Sequence, residues 1–144
     1  MTDHRSLMTA ALKNVFVPAL RERGFKGSLP HFYRASSVRA DFLTVQFHSA
    51  GGSFVVEIAK SGPDGIESGH GKDLPVSKLN TTYFAQRLRL GSNPTENILD
   101  HWFEFAPRNY DSPQTIQPAG HYEAIASTLV RFLGSQADGW WGSC

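Results

Sequence analysis

Two segments of alternating polarity, 41–50 and 53–60, meet at Gly51-Gly52, and this arrangement constrains the fold more than any other feature of the sequence. Two consecutive glycines supply the positive φ angles of a two-residue β-hairpin turn. Such a turn pairs Ala50 with Ser53. The alternation then predicts one apolar face for the whole hairpin, on which Phe47 lies opposite Val56 and Val45 opposite Ile58.

The opposite face of the predicted hairpin is partly polar. The same register pairs Gln46 with Glu57, His48 with Val55 and Thr44 with Ala59, and it sets His48 diagonal to Glu57. Antiparallel sheets commonly have one face on the core and one face toward solvent. The polar face is therefore the first place to search for function.

An amphipathic helix is predicted at the N-terminal end, from Thr2 or Asp3 to about Arg23. Apolar side chains recur there at helical spacing, and Gly24 follows as a C-terminal stop. Pro18 lies inside this stretch, and because it has no N–H to donate, it predicts a kink or a division of the helix.

A second amphipathic helix is predicted from Ala119 to about Gln136, ended by Gly134 or Gly139. The tail that follows, 138–144, carries two adjacent tryptophans. Such a tail is too aromatic to be solvated, so we expect it to fold back on the domain, to meet a partner or to build a homodimer.

Between the helices the sequence predicts short strands over 31–36, 81–90 and 101–106, in addition to the hairpin. In the last of these, Phe103 and Phe105 are predicted to point inward and Trp102 and Glu104 outward. The glycine- and proline-rich stretch 61–79 predicts a long, mobile surface loop. The predicted fold class is α+β, with an antiparallel meander of about five strands and both helices packed on one face.

Composition bounds the class of protein. The hydrophobic fraction of 40% supplies the core of a single domain over 1–144, and the net charge of +1 offers no basic field for nucleic acid. The one cysteine, Cys144, cannot form a disulfide within the chain, which favours a reducing, cytoplasmic compartment. We find no apolar run long enough for a membrane span and no signal for a cofactor.

The outward positions of the predicted strands form one candidate site. In one interpretation the face is solvated and its charges pair across strands, Glu57 and Glu104 with Arg87 and Arg89. In the other it is a recognition surface, because arginines suit carboxylate or phosphate groups and the aromatic side chains can stack or anchor a partner. The candidate binding residues are Gln46, His48, Glu57, Tyr83, Arg87, Arg89, Trp102 and Glu104.

Motifs of known catalytic chemistry are missing from the sequence. The histidines lack the spacing of a zinc site, and no phosphate-binding loop or Gly-x-Ser-x-Gly elbow is present. One catalytic alternative is left, a small hydrolase or transferase with His48 as general base and Glu57 as its orienting carboxylate.

Five stretches of the sequence carry a family resemblance: RERGFKG, HFYR, FLTVQFHSAGGSFVVEIA, RLRLG and HWFEF. Together, over Leu7–Phe105, they resemble the bacterial domain of unknown function 4304 family. The resemblance places His48, Arg87, Arg89 and Trp102 at recurring positions, although His48 stands where the family pattern has Gln. It implies no established activity. Some members resemble immunity partners of bacterial toxins, which implies a binding module with a protein partner.

Overall fold

The computed structural model describes residues 3–49, 51–62, 75–84, 87–92, 101–106 and 117–142. In these ranges, helical segments from both ends of the chain pack on one face of an antiparallel sheet, which confirms the predicted α+β class. The helical segments are α1 His4–Ala11, α2 Val17–Glu22, α3 Ala119–Phe132 and α4 Asp138–Gly142, and the strands are β1 Lys26–Ser28, β2 His31–Ala35, β3 Ala40–Phe47, β4 Ser53–Ser61, β5 Arg87–Arg89 and β6 Phe103–Glu104.

The N-terminal helix begins at an Asp3 cap. The Asp3 carboxylate accepts a hydrogen bond from the Ser6 backbone N–H at 2.7 Å, and this bond lowers the pKa of Asp3. A π-helical turn, Leu12–Phe16, separates α1 from α2, and Pro18 occupies the first turn of α2. The division predicted from Pro18 therefore takes the form of a π-helical turn just before it.

Gly24 ends this helix, as the sequence predicts. Its φ angle is +87°, and the two backbone bonds of a Schellman motif are present, from Gly24 N–H to the Arg21 carbonyl and from Phe25 N–H to the Leu20 carbonyl. The chain then turns directly into β1, with Phe25 buried beneath the helix. The strand β1 lies before the first strand that the sequence predicted, 31–36.

The sheet is a meander in the order β1-β2-β3-β4-β5, and β6 adds to β4. Strand β3 pairs Val45 with Val56 and Thr44 with Glu57. The predicted register is therefore wrong by two residues, because the connection is longer than a two-residue turn: the His48 N–H donates to the Ser53 carbonyl at 2.9 Å. A shift of two residues keeps every side chain on its predicted face.

The inner face of the sheet forms the main core with the helices. Its strand positions are apolar and almost fully buried, and the helices contribute apolar side chains at helical spacing. Phe103 and Phe105 also point inward, as predicted. The most buried members of this core are Met8, Leu12, Phe16, Leu20, Leu43, Phe54, Val56, Ile58, Tyr122, Leu129, Leu133 and Trp141.

The outer face carries a second, smaller core at one end. Phe42 and Ala59 are buried there under Leu79, with Phe84 stacked on Phe42 at 4.7 Å between ring centroids. The covering segment consists of two 3₁₀ turns, Val76–Lys78 and Thr81–Tyr83. The predicted strand over 81–90 is therefore wrong over 81–83, and of the described residues in this stretch, those of β5 form a strand. Of the predicted loop 61–79, residues 63–74 lie outside the described residues.

The C-terminal helix is longer than predicted. A π-helical turn, Leu133–Ala137, joins α3 to α4, so neither Gly134 nor Gly139 ends the helix. Trp141 is fully buried in α4, and its indole N–H donates to the Ala59 carbonyl at 3.1 Å. The aromatic segment thus folds back on the sheet as a helical turn.

Candidate functional site

A polar row crosses the outer face of the sheet next to the small core. Strand pairing aligns His31 with Thr44, Thr44 with Glu57 and Glu57 with Arg89. His31 Nδ1 and Thr44 Oγ1 are 3.0 Å apart, and burial lowers the pKa of His31. Sequence reasoning missed His31. Its neighbour Phe32 lies in the main core, so the alternation of the strand could have placed His31 on the outer face.

Glu57 is the centre of the row. Its carboxylate lies 3.2 Å from Arg87 and 3.4 Å from Arg89, and we name these three residues the outer ion cluster. The Glu57 side chain is 11% exposed, whereas those of Arg87 and Arg89 are 39% and 26% exposed. A nearly buried carboxylate therefore holds two guanidinium groups at the surface.

An aromatic pair borders the outer ion cluster. The guanidinium of Arg89 lies over the ring of Trp102 at 5.5 Å, and the rings of Trp102 and His48 are 5.0 Å apart. Trp102 is only half-buried. The cation–π contact joins the charged and the aromatic parts into one continuous patch.

The remaining predicted residues divide into two groups. Gln46 and Glu104 are exposed near this patch, at the ends of β3 and β6, whereas the Tyr83 side chain lies outside the described residues. We name the patch formed by Gln46, His48, Glu57, Arg87, Arg89, Trp102 and Glu104 the outer polar surface.

The predicted proximity of His48 and Glu57 is wrong. In the observed register Glu57 lies opposite Thr44, and His48 lies four residues farther along β3, beside Ser53. Four residues of strand span about 13 Å. Glu57 instead directs its carboxylate toward the two arginines, so the geometry adds no support to the hydrolase or transferase alternative.

Side chains from the helical layer fix the segments that carry this surface. The Gln136 amide accepts from the Gly91 N–H and donates to the Ser92 carbonyl, both at 2.8 Å. Gly91 has a φ angle of +89°, and a Cβ there would come within 2.5 Å of the His101 ring. Glycine is therefore required where the end of β5 meets the segment that leads into β6.

A second carboxylate–arginine group lies on the inner face. Asp41 is bridged at 2.8 Å by Arg34 and at 2.8 Å by Arg39, and we name these residues the inner ion cluster. Arg34 also lies over the rings of Phe25 and Trp141. Nothing in the sequence marked this cluster, because the β2–β3 register brings Arg34 to Asp41, beside Arg39 two residues before it.

Two kinds of feature are absent from the described residues. Within those ranges, no three His, Cys, Asp or Glu side chains converge as ligands for a metal ion. No helix in the described part of the chain has both the length and the apolar character to span a bilayer.

The fold and this surface define an α+β protein with a single antiparallel sheet and a polar, aromatic outer patch. A family model, the domain of unknown function DUF4304, matches residues 16–117, more than half of the chain. The chain therefore belongs to the DUF4304 family, as its five sequence stretches predicted. No curated protein and no solved structure matches it.

Proposed function

We propose that this chain is a protein-binding module that uses its outer polar surface to recognise a partner. The single observation that carries the proposal is the arrangement of Glu57, Arg87, Arg89 and Trp102. Tryptophan and arginine are enriched among the residues that dominate binding energy at protein interfaces. Here two arginines and one tryptophan are held together, half-exposed, on the face that the helices leave uncovered.

The geometry favours a partner that presents acidic groups. The guanidinium groups of Arg87 and Arg89 lie at the surface beside one carboxylate, that of Glu57, and their summed charge exceeds its charge. Because Glu57 is nearly buried, it fixes the arginines before a partner arrives, which reduces the ordering cost of binding. Arginine pairs bind carboxylates with defined geometry, which gives such a surface specificity as well as charge.

The specific form of the proposal is an immunity-like role, in which the bound partner is a bacterial toxin and the module acts in the cytoplasm. Its support is the resemblance carried by the family stretches. Co-expression with the products of neighbouring genes tests it directly: the expected result is that this chain relieves the toxicity of one of them, and that Arg87→Ala with Trp102→Ala abolishes the relief.

The general proposal is tested by photo-crosslinking in cells of the protein's own source. A photoreactive amino acid replaces Gln46 on the outer polar surface or, as the matched control, Lys13, which is exposed on the helical face. We expect a specific protein adduct from position 46 and none from position 13. Adding Arg87→Ala and Trp102→Ala should remove the adduct, while Glu22→Ala on the helical face should retain it.

Equal adducts from positions 46 and 13 would contradict the proposal. So would an adduct from position 46 that survives Arg87→Ala and Trp102→Ala, provided that the variant unfolds cooperatively at a temperature close to that of the parent protein.

A further inference from the structure

A groove of about 440 Å³ runs between strand β6 and helix α3. Phe103 is buried in it, and Ile125 and Phe132 line it from the helix, so one side is apolar. The strand side presents the half-buried Trp102 and the exposed carboxylate of Glu104. The volume is within the range of binding pockets, about 300–1,000 Å³. The lining of the groove contains both polar and apolar groups.

Within the described residues, the backbone of β6 is paired on one side, to β4, and has no partner on the other. The Phe105 N–H donates to the Gly52 carbonyl at 2.9 Å, across the ladder to β4. Alternate residues of an antiparallel strand direct their N–H and C=O groups to the same neighbour, so those of Trp102 and Glu104 point away from β4. Among the described residues, no group satisfies the backbone of Trp102 or Glu104 on this outward side.

An open strand edge beside a helix is the geometry of peptide recognition by strand addition. There, main-chain hydrogen bonds supply affinity, and pockets for alternate side chains supply specificity. An unpaired edge left exposed also invites uncontrolled pairing with other chains, which a dedicated partner prevents.

We propose that this groove takes an extended segment of the protein partner, which adds to β6 as a further strand. The inference rests on the proposed function, since it names how part of the partner binds, and Trp102 and Glu104 belong to both surfaces. Side chains of an added strand alternate in direction. One side chain faces Ile125 and Phe132 and is apolar, and the next lies beside Glu104 and is basic.

Charge complementarity fixes the second position. Glu104 contributes the carboxylate of the groove, and the other lining residues, His101 and Thr128 among them, contribute no acidic group. A lysine or arginine of the partner pairs with it at the rim. The partner thus offers acidic groups to Arg87 and Arg89 and a basic residue to Glu104, which fixes its orientation across the surface.

The first test isolates the backbone of β6. Glu104→Pro removes the outward N–H without removing a bond of the ladder to β4, and proline is tolerated at such an edge position. Glu104→Ala is its matched control, since it removes the same carboxylate but keeps the N–H. The probe is a library of random heptapeptides displayed on phage and selected on the full chain.

Selection should enrich peptides with a basic residue next to an apolar one. The affinity of a chosen peptide, measured by calorimetry, should be at least tenfold lower for Glu104→Pro than for Glu104→Ala. Failure to enrich any peptide overturns the inference, as does equal binding by the proline and alanine variants.

The second test fills the groove from the helix and leaves β6 intact. Thr128→Trp places a large side chain in the groove, whereas Ser127→Trp places it on the exposed side of the same helix. We expect Thr128→Trp to reduce peptide affinity at least tenfold and Ser127→Trp to leave it within twofold. Equal affinities in the two variants would overturn the inference even if Glu104→Pro failed to fold.

The crosslinking experiment separates this inference from the proposed function. One outcome refutes strand addition and leaves the binding module intact. In it, the partner adduct is lost when Arg87→Ala and Trp102→Ala are combined but is fully retained in Glu104→Pro and in Thr128→Trp. Retention of the adduct in all of these variants refutes both.

Discussion

The two ion clusters of the sheet have the same composition and opposite surroundings. Each consists of one carboxylate and two arginines drawn together by strand pairing. In the inner ion cluster the Asp41 side chain is 3% exposed and all the charged contacts are 2.8 Å. In the outer ion cluster Glu57 is 11% exposed and its contacts are 3.2 and 3.4 Å.

The neighbours of the arginines explain what each cluster does. Arg34 of the inner ion cluster lies over the rings of Phe25 and Trp141, which pack on each other, and it donates to the Arg23 carbonyl at 2.9 Å, so it ties the sheet to both ends of the helical layer. Arg89 of the outer ion cluster lies over the half-buried ring of Trp102. A carboxylate with two arginines thus stabilises the fold on one face of the sheet and presents a charged surface on the other.

The largest effect is expected where the inner ion cluster meets α4. Trp141→Ala removes a fully buried indole that packs on Phe25 at 5.0 Å and receives Arg34 on its ring. Loss of a buried tryptophan costs about 3–5 kcal/mol of the free energy of unfolding. Urea denaturation measures it, and Trp102→Ala on the outer face is the matched control, with an expected loss of about 1 kcal/mol or less. Equal losses would mean that the two faces do not differ as described.

Asp41→Asn should produce the next largest effect. It removes a buried charge and leaves Arg34 and Arg39 beside a neutral amide. The free energy of unfolding should fall by about 3 kcal/mol, the lower end of the range for breaking a buried pair, because both arginines are partly solvated. The midpoint of urea denaturation reports the loss. A cost near that of a surface ion pair would show that the inner ion cluster contributes little to the stability of the fold.

The faces of the hairpin could be predicted from the sequence, but its register could not. Side-chain alternation has a period of two, so a register error of two residues leaves Val45 and Val56 on the core face and Thr44 and Glu57 on the other. Gly51 and Gly52 do adopt positive φ angles, as predicted, yet two glycines do not fix the length of a turn. The register depended on hydrogen bonds of His48 and Ser53 that residue types alone do not specify.

The same limitation explains the errors at the candidate site. The pairing of Glu57 with Arg87 and Arg89 follows from strand parity, and it is one of the two interpretations of the sequence. The predicted proximity of His48 to Glu57, in contrast, depended on the wrong register. Local propensity also predicted a strand over 81–83, where Asn80 caps a 3₁₀ turn by accepting from the Thr82 N–H at 3.0 Å. Asparagine caps are recognisable in a sequence, but the burial of Leu79 over Phe42 that selects this turn is a tertiary effect.

Glu57→Gln tests the outer ion cluster in the way that Asp41→Asn tests the inner one. Because the Glu57 side chain is 11% exposed against 3% for Asp41, and its contacts to the arginines are longer, water compensates for more of the lost charge, and the free energy of unfolding should fall by only about 1 kcal/mol. Binding should suffer more than folding, since the arginines lose the group that fixes them. The crosslink from position 46 and urea denaturation, measured on the same variant, check both expectations. A stability loss as large as that of Asp41→Asn would erase the distinction between the clusters.

The smallest effect is the pH dependence that His31 adds to the outer face. Burial lowers the pKa of His31 below its ordinary value of 6.5, so the folded protein takes up this proton at a lower pH than the unfolded chain does. The contribution to stability is therefore complete above about pH 6.5 and is lost as the pH falls through the lower, folded-state pKa.

His31→Gln should flatten the stability profile between pH 7 and pH 5, because glutamine keeps a polar group beside Thr44 but does not titrate. Thermal unfolding at a series of pH values measures the difference. The comparison is His121→Gln on α3, which replaces an exposed histidine whose ring contacts the Phe105 carbonyl. If His31→Gln keeps the parental slope over this interval, the polar row is solvated in practice. His31, which is exposed at the edge of the row, would then add no pH dependence to the buried pair Thr44 and Glu57.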